Sequence, residues 1–164
     1  RGHFYGHQLL SVEVARGALA RLSFSPTFVA NVLTLVRMHD DKIAATPRAV
    51  KRALARLDGD VELFRTLIGL KLADAQAQSS LAAERARLAA ELPHVLDDVL
   101  AADEAFTLKQ LVIGGNDIIS LGIEAGPAVG RALDAALNAV IDEQVPNERR
   151  ALLEFVKTLL ERQQ

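Results

Sequence analysis

Three short apolar runs between Leu108 and Leu137, LKQLVIGGNDIISLGIEAGPAVGRALDAAL, are broken only at glycines, and no other stretch constrains the fold so tightly. Thr107 can cap a first short helix with Leu108, Leu111 and Val112 as its apolar positions, stopped by Gly114-Gly115. Asn116 can cap a second, Asp117 to Leu121, which ends at Gly122. Gly126-Pro127 then opens a third, with proline in the first turn, where a missing N–H costs nothing. Such a turn presents backbone N–H groups at the positive end of the next helix with no side chain in the way, which is a phosphate-binding geometry. The same glycines, Gly122, Gly126 and Gly130, also suit a tight helical hairpin that binds nothing, so the pattern alone leaves both readings open.

The rest of the composition favours helix. Half of the 164 residues are hydrophobic, enough for one or two small domains, and alanine, leucine, arginine and glutamate dominate. Six Phe, one Tyr and no Trp argue against a sheet platform that stacks bases. The absence of cysteine excludes disulfides, thiolate zinc sites and cysteine nucleophiles. No run approaches the roughly 18 apolar residues of a membrane span and no signal-peptide pattern is seen, so no membrane partner and a cytoplasmic setting are expected. The chain begins at Arg1 inside an ongoing pattern and reads as a fragment. Its net charge of −2 is uneven: residues 1–56 carry 9 Lys/Arg against 3 Asp/Glu, residues 57–113 carry 5 against 10, and residues 114–164 carry 5 against 8. A net negative tail is unfavourable for a grip on phosphates.

Along the chain, Leu10, Val14, Ala18 and Leu22 fall four apart as the stripe of a first helix, with Ala15 and Leu19 beside them. Ser25-Pro26 caps a second, whose face of Val29, Val32 and Val36 carries His39 one step further on. Thr46-Pro47 repeats the device and starts a basic helix bearing Arg48, Lys51, Arg52 and Arg56. Asp58-Gly59-Asp60 ends that helix and caps the next, where Leu63, Leu67 and Leu70 mark a stripe that continues to Asp74. A buried carboxylate needs a cation, a donor or a metal, whereas one at the edge of a stripe is an ordinary surface group. Leu81, Leu88, Leu92, Val95 and Val99 are spaced like heptad positions, with Pro93 expected to end one helix and begin another. Pro146-Asn147 starts a last helix with Leu152, Leu153, Phe155, Val156, Leu159 and Leu160 as its core face. Its first turn holds Arg149 and Arg150, against the dipole preference for acids there.

Leu111-Val112-Ile113-Gly114, Asn116-Asp117-Ile118, Leu121-Gly122-Ile123, Gly126-Pro127, Val129-Gly130 and Asn147-Glu148-Arg149-Arg150 together form an ordered string. It resembles the C-terminal region of bacterial CCA-adding tRNA nucleotidyltransferases. That resemblance implies an end of the molecule that grips tRNA by shape and backbone, through Gly122, Gly126, Gly130, Arg131, Arg149 and Arg150. It further implies CTP and ATP as substrates of the intact parent, with Mg for nucleotidyl transfer. The transfer machinery itself is not seen: there is no Asp-x-Asp pair in a strand context and no Glu-Asp-x-x-Arg motif.

Phe4-Tyr5-Gly6-His7, Leu35-Val36-Arg37-Met38-His39-Asp40 and Leu72-Ala73-Asp74-Ala75 are similar to the later part of an HD-superfamily phosphohydrolase domain. This second resemblance implies His7, His39 and Asp74 as part of a ligand set for nickel, manganese, iron or zinc, its remaining ligands lying upstream.

The expected architecture is all-α: an HD-like helical half over residues 1–76, a helical arm over 77–106 and a helical tRNA-binding tail over 107–164. The expected function is the tRNA-binding part of a CCA-adding enzyme, the fragment being inactive in transfer. A metal-dependent phosphohydrolase acting on phosphate esters or cyclic phosphodiesters is the alternative, and a helical scaffold a third.

Overall fold

A computed structural model describes residues 7–77 and 83–161, with side chains from residue 10 onward. Among the described residues there are eight α-helices and no strand, so the all-α expectation holds. The helices are α1 (His7–Leu19), α2 (Pro26–Met38), α3 (Pro47–Arg56), α4 (Val61–Ala77), α5 (Ala83–Ala101), α6 (Gly115–Ser120), α7 (Pro127–Ile141) and α8 (Arg149–Glu161). A 3-10 turn, Leu108–Gln110, precedes α6.

The helix starts follow the local chemistry read from the sequence. Ser25 Oγ accepts from Phe28 N at 3.2 Å, Thr46 Oγ1 from Ala49 N at 3.3 Å and Asp60 Oδ1 from Leu63 N at 2.8 Å. Each cap satisfies an amide that has no partner within its helix. Pro26, Pro47 and Pro127 stand in the first turns of α2, α3 and α7.

Contacts divide the chain into two compact units: Arg1–Ala45 with Asp60–Pro93, and Thr46–Gly59 with His94–Gln164. In the first, α2 packs against α1 and α4. The stripes depart from expectation on α1 and α4, and the α2 face is half-buried. On α1, Leu10, Val14 and Leu22 are exposed (68%, 66% and 54%) and Ala18 with them, while Val12 is buried. On α2 the buried residues are Leu33 and Met38, and Val29, Val32 and Val36 are half-buried. On α4 the core is Phe64, Leu67, Ile68 and Ala75; Leu70 is exposed, and Asp74 is half-buried rather than buried. These helices have apolar residues on more than one face, so spacing alone does not fix which face turns inward.

Pro93 does not separate two helices; it lies inside α5. Ala89, Leu92, Leu96 and Val99 are buried at spacings of three, four and three across it. An interior proline costs about 3 kcal/mol, and burial of that continuous stripe, at about 1.5–3 kcal/mol for each large side chain, outweighs it. Leu81 lies outside the described residues.

In the second unit α7 is central, in contact with α3, α6, α8 and the 3-10 turn. Leu111, Ile113, Ile118, Ala136, Leu137, Ile141, Leu152 and Val156 form its core, and Ala55 of α3 packs against them. The short α3 thus belongs with the tail in contact terms.

Candidate nucleic-acid interface

The candidate interface is built on a polar stitch. Gln110 Oε1 accepts from Phe106 N, Thr107 N and Thr107 Oγ1 at 2.9–3.0 Å, closing the 3-10 turn. This turn is shorter than the helix expected there, because Leu111 is already extended (φ −68°, ψ 141°) and its side chain enters the core. Asn147, 35 residues beyond Val112, accepts from Val112 N at 3.1 Å and donates to Gln110 O at 2.9 Å. A single side-chain amide thereby satisfies a donor and an acceptor of an otherwise unpaired extended segment.

Asn116 does not cap α6. The helix starts at Gly115 after an extended Gly114, and Asp117 Oδ2 reaches back to accept Gly114 N at 2.8 Å. Asp117 Oδ1 takes the Arg149 guanidinium, so the start of α6 is tied to the start of α8. The bond from the Gly114 amide, opposed by burial and reinforced by Arg149, holds the Asp117 carboxyl below its ordinary 3.8. Two members of the ordered string, Asp117 and Arg149, are therefore partners of each other.

The glycine-rich turn lies between α6 and α7. Gly122 (φ +91°) and Gly126 (φ +147°) take backbone conformations that L side chains rarely adopt, and a Cβ at either would meet only open space. Gly130, in the first turns of α7, likewise faces open space. Pro127 has no N–H, and the amide of Val129 turns back to Gly126 O at 3.0 Å, so fewer amides point outward than the glycine count suggests. Arg131 and Arg150 are exposed.

The basic helix α3 is spent internally. Arg48 and Arg52 both bind Asp142, at 2.7 and 2.6 Å, and their hydrogen bonds, Arg52 first, hold the Asp142 carboxyl below 3.8. Lys51 is 2% exposed and pairs with Glu104 at 2.5 Å. The sequence offered no sign of these partners, which lie more than 50 residues away. Gly59 does more than end α3: at φ +79° a Cβ there would sit 2.6 Å from Thr107 Cγ2.

In the first unit, His39 and Asp74 line one cavity of about 420 Å³ with Asp40, Lys71, Arg85 and Leu92. His39 Nδ1 lies 2.6 Å from Val36 O, Lys71 Nζ donates to the His39 and Asp41 carbonyls, and Arg85 pairs with Asp40. The side chain of His7 lies outside the described residues. Among the described residues no three His, Asp or Glu side chains come together as a metal-holding group. The cavity wall carries three Lys/Arg side chains, Lys42, Lys71 and Arg85, beside four carboxylates, Asp40, Asp41, Asp74 and Glu84, and no chemical step is assigned to a metal here.

With this geometry in hand, comparison with known proteins places the chain. The profile of the family described as tRNA nucleotidyltransferase domain 2 matches residues 10–156. The chain belongs to that family. Its relatives include the CC-adding tRNA nucleotidyltransferase of Thermus thermophilus, 30% identical over 92% of this chain and 33% of the relative. The CCA-adding enzymes of Lactobacillus johnsonii and Lactobacillus gasseri are 29% and 27% identical over 83% of this chain and 38% of theirs. The chain therefore spans little more than a third of the length of the curated relatives it matches. No solved structure gives a significant match. No described helix is long and apolar enough to cross a membrane.

Proposed function

We propose that this chain is the tRNA-gripping part of an enzyme that completes the 3′ end of tRNA, with CTP and ATP as nucleotide substrates and a divalent metal, Mg, for transfer in the whole enzyme. The observation that carries the proposal is the family match over residues 10–156. The ordered string supports it, because Asn147, Asp117 and Arg149 build the second unit rather than standing as scattered coincidences. In this reading the chain transfers no nucleotide by itself. It holds tRNA by backbone and shape along the exposed turn from Gly122 to Arg131 and at the first turn of α8, where Arg150 is exposed and Arg149 is tied to Asp117. The setting is cytoplasmic, where tRNA is completed.

The test is binding of the purified chain to tRNA lacking its 3′ CCA, compared with a Gly130→Leu variant. A leucine there has open space and a helical backbone, so the fold survives while the approach to the start of α7 is blocked. Binding at least fivefold weaker is expected; unchanged affinity removes the glycine-rich turn from the interface. The names of the relatives differ in the terminal A. Incorporation by a whole enzyme supplied with CTP alone, or with CTP and ATP, decides between CC and CCA as its product.

A further inference from the structure

The net charge of residues 114–164 is negative, so any grip on RNA has to come from a few well-placed cations. Several cations of the second unit are already engaged: Arg48 and Arg52 with Asp142, Lys51 with Glu104, and Arg149 with Asp117. On α8, Arg150 and Lys157 have no ion pair among the described residues. They stand seven residues apart with Leu153 between them, positions that share one helix face. Two turns of helix separate them by about 10 Å along the axis. With Arg149, Leu153 and Glu154 they line a shallow depression of about 590 Å³. Leu152 and Val156 of α8 are buried and Leu153 packs partly against the same core, whereas Arg150 and Lys157 on either side of Leu153 are exposed.

We infer that Arg150 and Lys157 are the two phosphate contacts of α8, and that Arg149 is a positioning residue that sets the start of the helix through Asp117. The inference rests on the tRNA-binding reading above and refines it. Lys157, 40 residues from Asp117 in sequence and absent from the ordered string, becomes part of the RNA face. Arg149, which the string singles out, becomes its support. The phosphate backbone is the matching partner because both side chains end in cations with room around them, and a backbone repeats its charge along a line. Glu154 in the same depression disfavours an acidic group pressed against the helix midpoint and favours contact at the two ends.

The experiment measures the affinity of the chain for tRNA lacking its 3′ CCA across a range of salt concentrations. Each lost phosphate contact lowers the slope of log affinity against log salt by about 1. The Arg150→Ala/Lys157→Ala double variant is expected to lose about 2 from that slope with an unchanged melting temperature. Arg150→Lys with Lys157→Arg is expected to keep the slope. Arg149→Met is expected to keep the slope within about 0.3 of the unmodified value, in line with a residue that makes no phosphate contact, and to lower the melting temperature. Should the double variant keep the full slope, or Arg149→Met lose as much as Arg150→Ala, the assignment is overturned while tRNA binding by the chain stands. Should the unmodified chain bind no tRNA, the tRNA-binding reading itself falls, and this assignment with it.

Discussion

The two contact units use the same material, alanine- and leucine-rich helices, and reveal themselves in the sequence very differently. In the second unit, most core residues read from the pattern are the core: Leu111, Leu137, Leu152 and Val156 are buried, though Leu108 and Val112 are exposed. In the first, Leu10, Val14 and Leu22 read equally well as a stripe and point to solvent. What separates the two is punctuation. Positive-φ Gly122 and Gly126 and the first-turn Pro127 set the ends of α6 and α7 in the second unit. Among the described residues the 13-residue α1 has no positive-φ glycine and no first-turn proline, and its apolar residues lie on more than one face.

The largest expected effect sharpens that contrast directly. Leu152→Ala removes a fully buried side chain from the α7–α8 core and should cost about 3 kcal/mol, whereas Val14→Ala should stay within about 0.5 kcal/mol. Urea midpoints of the two variants check both. A costly Val14→Ala would mean that the exposed α1 face has a function in stability that burial does not reveal.

A second pair breaks the contrast down to single glycines. Gly59→Ala places a Cβ against Thr107 Cγ2, whose side chain is also held by Gln110, and forces a positive φ on alanine; the cost should be about 2–3 kcal/mol. Gly130→Ala, in open space inside a helix, should gain about 0.5–1 kcal/mol. Thermal melting of the two variants should move in opposite directions.

These cases show where the sequence was informative. Caps, first-turn prolines and the order of the glycine-rich string depend on neighbours within a few residues, and they were legible. Asn147 and Asp117 were visible as members of a pattern, though their work, stitching Val112 and Gln110 and tying Gly114 to Arg149, requires partners about 30 residues apart. The α3 cations could not be paired in advance, because Asp142 is an acid among many until α7 brings it to Arg48 and Arg52. Pro93 misled for a related reason: its local cost is real, and only packing along the whole of α5 outweighs it. His39 and Asp74 were placed on separate helices by spacing, and the cavity they share depends on the tertiary packing of those helices.

The smallest expected effect concerns pH. Asp117 and Asp142 both titrate below their ordinary 3.8 in the folded chain. Stability from these ion pairs is fully present above that value and lost as the pH falls through the lowered values, because the unfolded chain takes up the protons first. The two carboxylates are largely covered, but Arg48, Arg52 and Arg149 are at least half exposed, so solvent screens the pairs and the effect should be modest. Denaturation midpoints measured from pH 5 to pH 2 should fall less steeply for Asp142→Asn than for the unmodified chain. An identical pH profile would show that the Arg48–Asp142–Arg52 cluster adds nothing to stability.

The internal spending of the α3 cations also bears on how fast a polyanion could arrive. At an ionic strength of about 0.01 M, where the Debye length is roughly 30 Å, an approaching polyanion senses the net charge of −2 before any single cation and is repelled. Close in, it meets Arg150 and Lys157, which have no ion pair among the described residues. Modest salt should therefore quicken encounter by screening the distant repulsion while shortening the lifetime of the complex, so that the two rate constants rise together.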